Sequence, residues 1–161
     1  MPNYRRLFHP GGTYFFTLTL ADRKSDLLTR HITELRAAYK YIETKRPFET
    51  IAAVILPDHM HVLWSLPPED QDYPTRIRLF KTHFTRALPS PLKTTGRKGE
   101  RGIWQSRYWE HLIKNETDFE NHIAYIHANP VKHGYVTHPD DWPHSTWHRH
   151  KAEYHPHWTL D

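Results

Sequence analysis

A chain of 161 residues has room for one domain with an ordinary core and little room for a second. Cysteine is absent, which excludes disulfides and thiolate ligands, so any metal must rest on histidine, carboxylate or amide donors. Lys and Arg exceed Asp and Glu by 22 to 18, a mild basic excess that suits a polyanionic partner. No apolar run approaches a membrane span, and the opening MPNYRRLFHPGG lacks the apolar core of a signal peptide. The expectation is a soluble, cytoplasmic protein.

After a Gly-Gly turn, Tyr14, Phe16, Leu18 and Leu20 alternate with Thr13, Phe15, Thr17 and Thr19, which predicts a strand. Ile32, Leu35, Tyr39 and Ile42 predict a helix over about Thr29–Lys45, closed by Arg46-Pro47. The β-branched run at about Phe48–Leu56 suits a central strand. A Pro57-Asp58 turn then leads to a partner strand at about His59–Leu66. Ile77, Phe80, Phe84 and Leu88 mark a helix from Thr75 to about Leu88. Residues 89–102 are Pro/Gly-rich and basic, a mobile surface loop by composition. IWQSRYWEHLIKN reads as a strand, and Thr117 begins a further helix that Asn129-Pro130 ends or kinks. From about Thr137 the chain is rich in Pro, Trp and His without a period. Residues 1–136 are therefore expected to form the functional domain, and 137–161 a tail.

The order β-α-β-β-α-β-α predicts an α+β fold of the ferredoxin-like, split βαβ type. Its antiparallel sheet would carry helices on one face, with a further helix beyond the sixth element. Such a fold hosts many functions and decides none of them.

Fifteen histidines predict roughly one or two His-x-His pairs by chance, and three occur: His59/His61, His148/His150 and His155/His157. Only the first lies in a strand, where residues i and i+2 project from one face and can reach a single cation. It follows a turn, which places it at a strand start near solvent. The same pair also reads as sheet histidines satisfied by neighbours. Tyr125 and Asn129 are one helical turn apart on the last element. A phenol is a nucleophile once deprotonated, and an amide oxygen is a hard ligand; equally, such residues can be a core tyrosine and a helix-end cap. WQSRYWEH alternates aromatic and charged residues, so Trp104, Tyr108 and Trp109 could stack bases and Arg107 meet a phosphate. Taken together, two imidazoles, one amide oxygen and a neighbouring hydroxyl are the parts that phosphodiester transfer needs.

The stretches YRR with GGTYFFT, RPFE before ILPDHMHVLWSLP, IWQSRYWEHLIKN, YIHANPVKHGYV and DWPHST occur in this order over about residues 4–147. In them the chain resembles the HUH single-tyrosine transposases, and within these the REP-associated tyrosine transposases. The resemblance implies an enzyme that cuts and rejoins single-stranded DNA with Mg²⁺ or Mn²⁺. Tyr125 would form a 5′-phosphotyrosine and release a 3′-OH, with His59 and His61 as metal ligands. Asn129 matches the third ligand position, where related insertion-sequence transposases carry a glutamine. The histidine-rich set suits Mn²⁺ somewhat better than Mg²⁺. The implied substrates are REP hairpins with a short single-stranded guide at the 5′ foot. From charge and position, the candidates for DNA contact are Arg5, Arg6, Arg78, Lys81, Trp104, Arg107 and Lys132. The chain could act as a monomer or a homodimer. A hairpin-binding protein with a vestigial metal site, or a small-molecule metal hydrolase, would use the same residues differently.

Overall fold

A computed structural model describes residues 6–89 and 102–151. The first strand, β1 (Thr13–Thr19), lies inside the sheet and is covered on both sides. Its alternation separates two cores: Tyr14, Phe16 and Leu18 enter one cluster and Phe15 the other. The expected helix at Thr29–Lys45 is two helices, α1 (Leu27–Arg30) and α2 (Ile32–Lys45), parted at His31. His31 has non-helical φ/ψ of −110° and 42° and its side chain makes no capping bond. Leu35, Ala38 and Ile42 give α2 its buried stripe.

Strands β2 (Glu49–Ile55) and β3 (His59–Ser65) follow, then α3 (Tyr73–Ala87). Helix α3 starts two residues before the expected Thr75, capped by Asp72, whose carboxylate accepts from the Thr75 N–H at 3.2 Å, with Pro74 in the first turn. Arg76 is buried beneath this turn. It donates to both Asp70 carboxylate oxygens and to the carbonyls of Arg46, Pro47 and Asp72, and so ties the end of α2 to the start of α3.

The expected strand at residues 103–115 is shorter, with β4 confined to Trp109–Leu112. Leu20 and Trp104 form only an isolated bridge. All pairings are antiparallel and the order is β2-β3-β1-β4, as the split βαβ pattern requires. Helices α2 and α3 cover one face over Tyr14, Phe16, Trp64, Tyr73, Phe80 and Phe84. Helix α4 (Glu116–Lys132) covers the other, with Ile126 packed on Phe15, Ala52, Val54 and Leu63.

Asn115 caps α4 by accepting from the Asp118 N–H at 2.8 Å. The helix does not end at Asn129-Pro130. Pro130 lies inside it, and closure comes at Gly134, whose φ is +78°. There the Tyr135 N–H donates to the Pro130 carbonyl and the Gly134 N–H to that of Val131, a Schellman end that favours glycine.

Beyond α4 the chain runs along the open edge of β2. The Ile55 N–H donates to the His144 carbonyl and the Thr146 N–H to that of Ala53, both at 2.9 Å. Trp142 Nε1 donates to the Ile55 carbonyl at 2.9 Å, and a short helix, α5 (Trp147–His150), follows. These bonds satisfy an otherwise unpaired strand edge. Most of the basic loop, the His155/His157 pair and Arg5 lie outside the described residues. Trp142→Ala removes one backbone-directed bond and the indole packing, and is expected to lower stability by about 2 kcal/mol in urea unfolding. An unchanged midpoint would mean that the segment only rests on the edge.

Candidate active site

The strand register presents His59 and His61 to α4, while Met60 and Val62 enter the opposite core. Contrary to a place near solvent, both histidines are buried, at 5% and 4% exposure, because α4 crosses over them. Each is held by Nδ1. Asp58 Oδ1 accepts from His59 at 2.8 Å, and Thr17 Oγ1 hydrogen-bonds His61 at 2.7 Å. This leaves Nε2 as the free nitrogen of each ring. Burial pushes the Asp58 carboxyl up, but hydrogen bonds and charge from Arg23 and His59 outweigh it and hold it below the ordinary range.

Helix α4 sets Tyr125 and Asn129 above this pair. The Tyr125 ring lies 5.3 Å from that of His61, centroid to centroid, and is partly open to solvent. Asn129 is fully buried; its amide N–H₂ leans toward the Tyr125 carbonyl at 3.4 Å, while its Oδ1 has no hydrogen-bond partner. His61 Nε2 is equally buried and equally unpartnered. Burial pulls His61 down to about 3, and the neighbouring His59 and His133 add to this, against an opposing pull from the Asn129 amide. A neutral imidazole nitrogen and an amide oxygen facing one buried space are donors for a divalent cation, whereas water or a protein donor would satisfy only hydrogen bonding. His133 also enters this site, with its ring 5.1 Å from that of His59. It escaped the sequence reading, although its spacing of four from Asn129 continues the helix face.

A second group was not foreseen at all. His111 on β4 and His122 on α4 both approach the Asp118 carboxylate, at 2.8 and 3.2 Å. Their rings stack at 4.7 Å with only 15° between planes. A cation must lie in the plane of each imidazole that binds it, and two offset, nearly parallel rings share no such point. In this arrangement the group is a carboxylate-bridged histidine pair. Its sequence signal was the spacing of four between Asp118 and His122.

The family profile described as "Transposase IS200 like" matches residues 11–129, most of the chain. The chain belongs to the IS200-like transposase family. Two relatives carry the name REP-associated tyrosine transposase. One, from Haemophilus influenzae, is 52% identical over 97% of this chain and 92% of its own length. The other, from Escherichia coli, is 46% identical over 92% of this chain and 84% of its own. A solved REP-associated tyrosine transposase, bound to a REP hairpin, superimposes with a TM-score of 0.87 at 45% identity, covering all of this chain and 93% of the other. A solved chain from Deinococcus radiodurans shares the fold at a TM-score of 0.52 and 21% identity. These relatives make the chain a tyrosine transposase, and the family implies a divalent metal.

For an IS200-like transposase the DNA contacts expected from sequence fall into two groups. Arg78, Arg107 and Lys132 are exposed, and Lys132 Nζ stands 5.1 Å over the Tyr125 ring. Trp104 is instead buried at 3% exposure against Phe80 and Phe84, a core residue in place of a stacking surface. Lys81 is half-buried and donates to the Gln105 carbonyl at 3.0 Å; burial lowers its ammonium to about 8. Arg6 pairs with Glu110 and lies over the Tyr108 ring. Among the described residues no helix is long and apolar enough to cross a membrane.

His61 and His127 are each held near 3 chiefly by burial, against 6.5 when exposed. Both are neutral in the fold and take up a proton in the unfolded chain, so stability is present above about pH 6.5 and is lost as pH falls toward 3. For the metal-free protein each should cost about 2 kcal/mol between pH 7 and pH 5. Urea unfolding at the two pH values measures this. Equal stabilities would contradict neutral burial of both rings.

Proposed function

We propose that this transposase cuts and rejoins single-stranded DNA beside REP-type hairpins through a 5′-phosphotyrosine on Tyr125. The observation that carries the reading is the pair of buried, unpartnered donors, His61 Nε2 and Asn129 Oδ1, beneath the Tyr125 ring. His59, His61 and Asn129 would hold Mg²⁺ or Mn²⁺, with Mn²⁺ favoured by the imidazoles. A cation bound there would draw charge from a non-bridging oxygen of the scissile phosphate.

The remaining work belongs to the chain's own residues. Tyr125 Oη attacks phosphorus as the bond to the 3′-oxygen breaks, so the phosphate passes to tyrosine and the departing oxygen takes a proton to become a 3′-OH. Attack of a 3′-OH on the phosphotyrosine reverses these events and seals a strand. Lys132, over the Tyr125 ring, would meet the charge of the phosphate that passes to Tyr125. Exposed Arg78 and Arg107 would meet backbone phosphates. Lys81 and Trp104 support the wall between α3 and β4. The reaction would take place in the cytoplasm, with one protomer sufficient to supply all four site residues.

Incubation of wild type with Mn²⁺ and a REP-type hairpin carrying single-stranded flanks should yield a covalent adduct on a denaturing gel. Tyr125→Phe should yield none, and His61→Ala should lower the adduct rate by at least about 100-fold. Asn129→Ala is expected to weaken the Mn²⁺ response at least about tenfold. An adduct with Tyr125→Phe would overturn the mechanism. Tight hairpin binding without any adduct would favour a DNA-binding protein with a vestigial site.

A further inference from the structure

Beside the nucleophile lies a pocket of about 390 Å³, lined by Phe15, Thr17, Trp109, Asn121, His122 and Tyr125. The metal-site reading leaves it unused. Its volume is at the lower end of small-ligand sites, the scale of a single planar group. Trp109 opens it: this indole stands opposite Thr17 on the outermost strand, β4, and is 57% exposed. The inner wall is held by polar contacts. His122 is held through Nδ1 by the Asp118 carbonyl at 2.8 Å and by its carboxylate, with His111 stacked behind it. On the outer turn of α4, exposed Asn121 offers a side-chain amide that both donates and accepts. Phosphate-neutralising charge stands on either side, at Arg107 two residues before Trp109 and at Lys132 over Tyr125.

We infer that this pocket takes one unpaired nucleobase of the DNA strand being cut, stacked on Trp109 and met at its edge by Asn121. A flat π-face, an amide at its rim and flanking cations match a nucleotide, and the tyrosine in the wall makes it a nucleotide bordering the broken bond. Trp109 and Asn121 are then positioning and specificity residues for the strand transfer. The His111–Asp118–His122 array acts through them by fixing the wall. The inference rests on the single-stranded DNA reading above.

The test uses the full chain with Tyr125→Phe, which binds without cutting, and hairpin oligonucleotides with 2-aminopurine moved one position at a time through the single-stranded flank. Fluorescence should be quenched at one nucleotide bordering the bond that wild type breaks. Adding Trp109→Ala should abolish the quench and weaken binding about 5- to 150-fold, while Trp109→Phe restores most of both. An abasic site at that nucleotide should weaken binding by a similar factor and erase the effect of Trp109→Ala. Wild-type adduct formation with no quench at either bordering nucleotide overturns the pocket and leaves the transferase. A quench without any adduct overturns the transferase and leaves a base-binding site. A Trp109→Ala penalty that is equal on intact and abasic DNA, or a dimer that dissociates on this substitution, makes Trp109 a structural or protein-contact residue and overturns the proposal.

Discussion

The pairing of β1 with β3 places Thr17 directly opposite His61, and the active site is built outward from that contact. The hydroxyl holds His61 Nδ1, so the other nitrogen has one direction left to face. The same register sets Val54 beyond His61 on β2, and Trp109 beyond Thr17 on β4. A single row across the sheet therefore runs from an apolar residue packed under α4, through the histidine, to an exposed indole. Slippage by one residue would exchange His59 and His61 for Met60 and Val62, and would send imidazoles into the aromatic core beneath α2 and α3.

Helix α4 supplies what the sheet cannot. Ile126 anchors it to Val54 and Leu63, and with that anchor in place Tyr125, Asn129 and His133 follow one another at four-residue spacing above the histidines. The arrangement carries a cost. A buried polar atom without a partner destabilises a fold by about 1–3 kcal/mol, and two of them, His61 Nε2 and Asn129 Oδ1, meet here. Tertiary structure has stored that penalty beside Tyr125, the proposed nucleophile, where a cation would relieve it.

Local period made much of this visible beforehand. Alternation in Thr13–Thr19 and His59–Ser65 assigned the strands and put both histidines on one face; helical spacing joined Tyr125 to Asn129. Burial of the histidines was not visible, since it comes from a helix more than fifty residues away in the chain. Nor could composition tell Trp104 from Trp109. The first is drawn into the core against Phe84 while the second is left on an edge, a difference set by where β4 begins. The segment after Tyr135 has no period because it is held chiefly by single backbone bonds to β2 and not by a continuous apolar face. Pro130 does not end the helix, for a related reason: a proline removes one N–H from a helix, and Gly134, four residues on, decides where the chain turns away.

The coordination of manganese bears most directly on the site. With Mn²⁺ added to the full chain, pulsed electron paramagnetic resonance should detect one ion per chain coupled to two imidazole nitrogens, and His61→Ala should remove one coupling and weaken binding at least about tenfold. A bound ion with no histidine coupling, or coupling that survives the loss of both His59 and His61, would contradict a metal site beneath Tyr125.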